Sequence, residues 1–198
     1  MAKPPALSWP EAGALFVVGT SAYALVHTAE VAANDVVLVS ATAGGVGSLA
    51  SQWARNLGAA VVGLARPVNH EWLRGYGVVP VDYTGADLAQ RVRQALDGRQ
   101  VTALLDTYGQ QYVQLGLDLG VSPGRIATIA DFSAGQRGAK VVQHFAVASP
   151  PVLTEIAEAL ASGRLQMPIA ATYPLSEVRE AYRDLERGHT RGKIVLLP

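Results

Sequence analysis

The sequence predicts an α/β domain, doubly wound around a six-stranded parallel sheet, and three observations lead there. An apolar strand, Val36-Val37-Leu38-Val39, runs straight into a glycine-rich turn that opens an amphipathic helix. Short apolar runs then alternate with segments of helical period as far as residue 150, and strands separated by helices pair in parallel. The composition, with 198 residues, 49% of them hydrophobic and 16% charged, is that of a chain able to bury one substantial core.

The elements follow in order. Ser8-Trp9-Pro10-Glu11 has the form of a capping box, with proline tolerated in the first turn, so a helix starts there. It leads through Gly13 and Gly19 into a second helical stretch from Thr20 to Ala29, on which Ala22, Leu25, Val26 and Ala29 share a face. Asn34-Asp35 turns the chain into the first strand. In the next helix Val46, Leu49, Ala50, Trp53, Ala54 and Leu57 recur at three-and-four spacing and are expected to pack on the sheet, with Ser48, Ser51, Gln52, Arg55 and Asn56 on the other face. Gly58 ends it. The alternation continues as strand 60–65, helix 69–76, strand 79–81, helix 87–96, strand 101–106, helix 112–119 and strand 125–130, with a sixth strand expected over Val141 to Ala148. Ser133 to Gly138, with two glycines and small polar residues, reads as a mobile loop. The last third carries helix 151–162, an extended stretch 167–173, helix 176–187 and strand 193–197. This divides the chain into a helical lead-in (1–32), a doubly wound core (33–150) and C-terminal helices with a return strand (151–198).

Several classes are disfavoured. Sixteen basic and sixteen acidic residues cancel and are scattered, which suggests neither a nucleic-acid nor an acidic-membrane partner. Cysteine is absent, so disulfides and thiolate catalysis are excluded, and the four histidines are too far apart in sequence to suggest a metal site. With no signal-peptide segment and no run of about 18 apolar residues, a cytoplasmic setting is expected. No Tyr-x-x-x-Lys pair and no Gly-Lys-Ser/Thr loop is present, which removes short-chain dehydrogenases and P-loop phosphoryl transfer.

The turn Ala41-Thr42-Ala43-Gly44-Gly45-Val46-Gly47 has the chemistry of a dinucleotide cradle. Its glycines let the backbone approach a pyrophosphate, and the first N–H groups of the following helix point at the anion. What stands at the end of the second strand selects the ribose: a carboxylate suits NAD(H), whereas an arginine takes the 2′-phosphate. Arg66 lies there, nineteen positions past Gly47, with no acid before Glu71, so NADP(H) is favoured. Arg66, Tyr83, Thr107-Tyr108-Gly109 and Ala130-Asp131 all fall at strand ends that line the crevice of such a sheet.

Taken as an ordered set, Leu7 to Ala14, Thr20-Ser21-Ala22-Tyr23, Ala41 to Gly47, Asp82-Tyr83, Leu105-Asp106-Thr107, Pro123-Gly124-Arg125 and Gly188 to Val195 resemble the medium-chain dehydrogenase/reductase superfamily, in its zinc-independent quinone-oxidoreductase-like branch. The resemblance implies a Rossmann fold, with Ala43, Gly44, Gly45, Val46 and Gly47 on the pyrophosphate, Arg66 and Tyr83 on the 2′-phosphate and Tyr23 near the nicotinamide. It further implies hydride transfer from NADPH to a quinone, enone or related carbonyl compound, a β-rich catalytic domain preceding this segment, and pairing of two copies through the nucleotide domain near Val141 to Ala148. It assigns no catalytic residue. Two features depart from the pattern: the chain starts where that catalytic domain would hand over, and Ala130-Asp131 stand where the family often carries a glycine. The alternative is a stand-alone NADP(H)-binding module without turnover of its own.

Overall fold

A computed structural model describes residues 2–109 and 111–198. Six strands, β1 (Val36–Val39), β2 (Ala60–Leu64), β3 (Val79–Val81), β4 (Ala103–Asp106), β5 (Ile126–Thr128) and β6 (Lys140–Val141), form a parallel sheet in the order β3-β2-β1-β4-β5-β6. Val37 pairs with Val61 on one side and Ala103 on the other, so the strand order reverses at β1 and opens a crevice beyond the carboxyl ends of β1 and β4. β1 and β4 are buried along their whole length, which is why both read as unbroken apolar runs rather than alternating ones.

Helices cover both faces. On one lie α1 (Trp9–Thr28), α2 (Gly45–Asn56), α3 (His70–Gly75) and, later in the chain, α7 (Pro150–Ala161), whose Leu25, Leu49, Leu73 and Ile156 share one core. On the other, α4 (Leu88–Ala95) and α5 (Tyr112–Asp118) bring Val92, Val113 and Leu115 against Leu38, Leu64 and Leu104. The capping box at Ser8 forms as expected, with the Ser8 N–H donating to the Glu11 carboxylate at 3.0 Å and Ser8 Oγ accepting from the Glu11 N–H at 3.3 Å. The two helical stretches expected before β1 are one helix of 20 residues. Gly19 does not interrupt it but lets α7 approach, since a Cβ there would lie 2.7 Å from Ile156 Cγ2.

Four further expectations are corrected. The hydroxyl face of α2 is buried rather than solvated: Ser48 and Ser51 bond the carbonyls of Gly45 and Gly47, and Gln52 exchanges two hydrogen bonds with the Gln166 backbone, at 2.9 and 2.8 Å. Leu57, expected inside, is 40% exposed, because α2 ends at Asn56 and the chain turns away at its cap. The sixth strand is only Lys140–Val141; the ladder is extended by Val142 N–H to Thr128 O, and the following residues wind into α6 (His144–Val147). The segment 133–138 is a compact turn, pinned by an Asp131–Arg137 ion pair and by fully buried Ala134.

The remaining strands, β7 (Ile169–Pro174) and β8 (Lys193–Leu197), form a separate parallel pair bridged by α8 (Val178–Glu186). Among the described residues no helix is long and apolar enough to cross a membrane.

Candidate functional site: a cleft at the carboxyl edge of the sheet

The glycine turn is built by steric necessity. Ala41 adopts a left-handed φ of +44°, and its carbonyl accepts from the Gly44 N–H at 2.9 Å. Thr42 is buried, donating its hydroxyl to Val39 O at 2.7 Å. A Cβ on Gly47 would lie 2.4 Å from Ala41 O, so only glycine lets α2 start this close to the turn. Gly45 faces the stem of Lys193, 2.7 Å from where its Cβ would stand, rather than open space. Gly44, the N-cap of α2, supplies no side-chain cap, which leaves the positive end of that helix to an external acceptor.

Ala43 and Gly44 form the floor of a cleft of about 410 Å³. One wall is Leu64, Ala65, Arg66 and Asn69 after β2; another is Tyr83 after β3 with Tyr108, Gln111 and Tyr112 after β4; Gly188, His189 and Thr190 close the third. Among the described residues no carboxylate lines it. The Arg66 side chain is exposed at the mouth and makes no hydrogen bond or ion pair among the described residues. Tyr108 and Tyr112 meet edge-on, ring centroids 6.0 Å apart. Burial, with the neighbouring Tyr83, Tyr108 and Asp106, pushes the Tyr112 hydroxyl up to about 12, so it stays a neutral donor at neutral pH.

Behind the cleft, Asp106 is fully buried and gathers four donors: Ser40 Oγ at 2.7 Å, Thr128 Oγ1 at 2.6 Å, and the N–H groups of Tyr108 and Gly109. These tie together the carboxyl ends of β1, β4 and β5. Thr107 joins through its N–H to Ser40 Oγ and its hydroxyl to Ser40 O, and Thr128 Oγ1 accepts from the N–H groups of Ala130 and Asp131. The network sets the turn that carries Tyr108 into the cleft.

Of the residues expected from sequence, Ala43, Gly44, Arg66, Tyr83 and Tyr108 line the cleft. Gly45, Val46 and Gly47 shape the turn from beneath, while Thr107, Ala130 and Asp131 stand one layer behind. Tyr23 is set apart: it stacks on His27 at 3.8 Å and meets the edge of Trp53 at 5.2 Å. Burial and nearby Glu155 raise its pKa. Asn69, Gln111, Tyr112 and residues 188–190 were not anticipated. Tyr112 follows Tyr108 by four positions, a spacing that could have paired them; the segment from Gly188 belongs to the set that carries the family resemblance, but nothing in it marks a cleft wall. Among the described residues no three His, Asp or Glu side chains converge as a metal site.

A parallel sheet of this order, an uncapped helix behind a glycine turn, and a cleft at the switch point define a dinucleotide-binding type of fold. Residues 76–196 match the family described as zinc-binding dehydrogenase. The chain belongs to that family, in the medium-chain dehydrogenase/reductase superfamily, and falls in its quinone-oxidoreductase-like branch. It is 30% identical to a 2-haloacrylate reductase from Burkholderia sp over 94% of this chain and 62% of that protein. It is 27% identical to a quinone oxidoreductase from Pseudomonas aeruginosa, over 98% of this chain and 66% of that one. Among solved structures, the quinone oxidoreductase from Coxiella burnetii superposes with a TM-score of 0.87 at 27% identity, over 99% of this chain and 63% of that one. The Escherichia coli quinone oxidoreductase complexed with NADPH gives 0.84 at 25%, over 100% and 68%. The chain thus spans about two thirds or less of the first curated relatives it matches.

Proposed function

We propose that this chain is the NADP(H)-binding part of a cytoplasmic reductase that passes hydride from NADPH to a quinone, enone or related carbonyl compound. The observation that carries this reading is Arg66, a guanidinium that has no hydrogen-bond or ion-pair partner among the described residues, at the mouth of a cleft that none of their carboxylates lines, beside the Ala43-Gly44 turn. A forked cation in that position suits a ribose phosphate, and the start of α2 suits a diphosphate. Tyr83, Tyr108 and Tyr112 offer the aromatic walls that a planar base requires. When bound, the cofactor supplies the hydride; the chain's own residues hold and orient it and keep water from it.

Fluorescence titration with NADPH and NADH tests the reading. Wild-type protein is expected to bind NADPH saturably. Arg66→Ala is expected to weaken NADPH more than NADH by about 1.5–3 kcal/mol if the guanidinium meets the phosphate directly. Equal losses for both nucleotides refute the role of Arg66. NADPH oxidation with a panel of quinones separates the reductase from a stand-alone binding module. Binding with weak or absent turnover is expected for the chain by itself.

A further inference from the structure

Arg191 lies outside the cleft yet fastens its wall. Its Nε donates to Asn69 Oδ1 at 3.0 Å, Nη2 reaches the Val68 carbonyl at 3.5 Å, and the guanidinium lies 5.3 Å over the Trp72 ring. Asn69 is 7% exposed and lines the cleft, and its backbone N–H donates to the carbonyl of Arg66 at 2.9 Å. A continuous chain of hydrogen bonds therefore runs from Arg191 through Asn69 to the backbone of Arg66. The next residue holds the floor, because the Gly192 N–H donates to Ala43 O at 2.9 Å. Two adjacent residues brace both turns that face the cleft.

We infer that Arg191 is a positioning residue for Arg66: through Asn69 it fixes the turn that presents the Arg66 guanidinium, and so sets how strongly NADPH is preferred over NADH. The inference rests on the nucleotide reading above. The Arg66 guanidinium has no hydrogen bond or ion pair among the described residues to steer it, so the placement of its backbone determines where the fork can reach. The task at position 191 suits arginine, whose planar group can bond two acceptors and lie on an aromatic face together; lysine, with a compact ammonium, cannot reproduce this.

The test is equilibrium titration of the full chain with NADPH and with NADH, alongside thermal melting, for wild type, Arg191→Gln, Arg191→Lys, Arg66→Ala and the Arg66→Ala/Arg191→Gln double variant. Arg191→Gln is expected to lower the NADPH-over-NADH affinity ratio about fivefold, the size of coupling seen between residues in one network. Arg191→Lys should not restore it, and adding Arg191→Gln to Arg66→Ala should leave the ratio where Arg66→Ala alone puts it. An unchanged ratio, with only melting temperature or both affinities reduced together, makes Arg191 merely structural and overturns the inference. Recovery in Arg191→Lys, or full additivity in the double variant, means that its charge acts on the phosphate itself and also overturns it. If Arg66→Ala loses discrimination while Arg191→Gln keeps it, the nucleotide reading stands and only this inference falls. A wild type without preference for NADPH removes both.

Discussion

Replacing Asp106 by alanine removes the common acceptor of Ser40 Oγ, Thr128 Oγ1 and the N–H groups of Tyr108 and Gly109, in a place with no solvent access. The two hydroxyls can rotate, and each already accepts from other N–H groups, so their loss is partial. The two backbone donors are fixed by the turn. At about 1–3 kcal/mol for each buried donor left without a partner, the variant is expected to lose about 3–5 kcal/mol. For a domain of this size each kcal/mol lowers the melting temperature by about 2–4 °C. A fall of roughly 6–20 °C is therefore expected in a circular-dichroism melt. Asp106→Asn should fall between the two: it keeps one acceptor but turns an NH2 toward Thr128 and Gly109, whose groups on that side already donate. At temperatures well below the melt, Asp106→Ala should also bind NADPH more weakly, because Tyr108 loses its fixed turn. Melting of Asp106→Ala within about 2 °C of wild type would refute the hub, since four surrendered hydrogen bonds cannot cost so little in a dry site.

Two glycines three residues apart should respond differently. Gly47→Ala drives a Cβ to 2.4 Å from Ala41 O and should lower the melting temperature, whereas Gly44→Val, facing the cleft with its nearest protein atom at 3.2 Å, should weaken nucleotide binding with little change in the melt. Unchanged NADPH affinity in Gly44→Val means that the turn is not the cradle. At the opposite end of the sheet Asp35 sits 2.6 Å from Arg125. Burial works to raise its pKa but is outweighed by hydrogen bonds from Thr102, the Ala32 N–H and Arg125, so the folded-state value is lowered. Such a carboxylate stabilises the fold above its unfolded pKa of about 3.9 and loses that contribution as the pH falls through the lower folded value. The melting difference between wild type and Asp35→Asn should be widest near neutral pH and shrink below about pH 4; a difference independent of pH counts against the pairing.

What was legible in the sequence was local. The unbroken Val36–Val39 run, the Ser8–Glu11 box and the glycine turn each carry their cause within a few residues, and they sufficed for the sheet and for one wall of the cleft. Burial of Ser48, Ser51 and Gln52 was not legible, because a helical wheel reports one apolar stripe whereas α2 is enclosed by the sheet, by α1 and by the backbone at Gln166. Val141 to Ala148 is a short apolar stretch of the kind that periodicity cannot assign, and the helix won after two residues of strand. The wall at 188–190 and the Asp106 hub depend on partners tens of residues or more away, which no window of sequence contains.

The bond from Gly192 to Ala43 joins positions 149 residues apart. A ribosome adding roughly 5–20 residues per second leaves the Ala43 turn waiting roughly 7–30 s for that strut. Sheet strands β1 to β5 can assemble in the interval, so the emerging polypeptide passes through a stage with a formed scaffold and an open-sided vestibule. The third wall of the cleft, at residues 188–190, therefore takes its place only after the other two have been made.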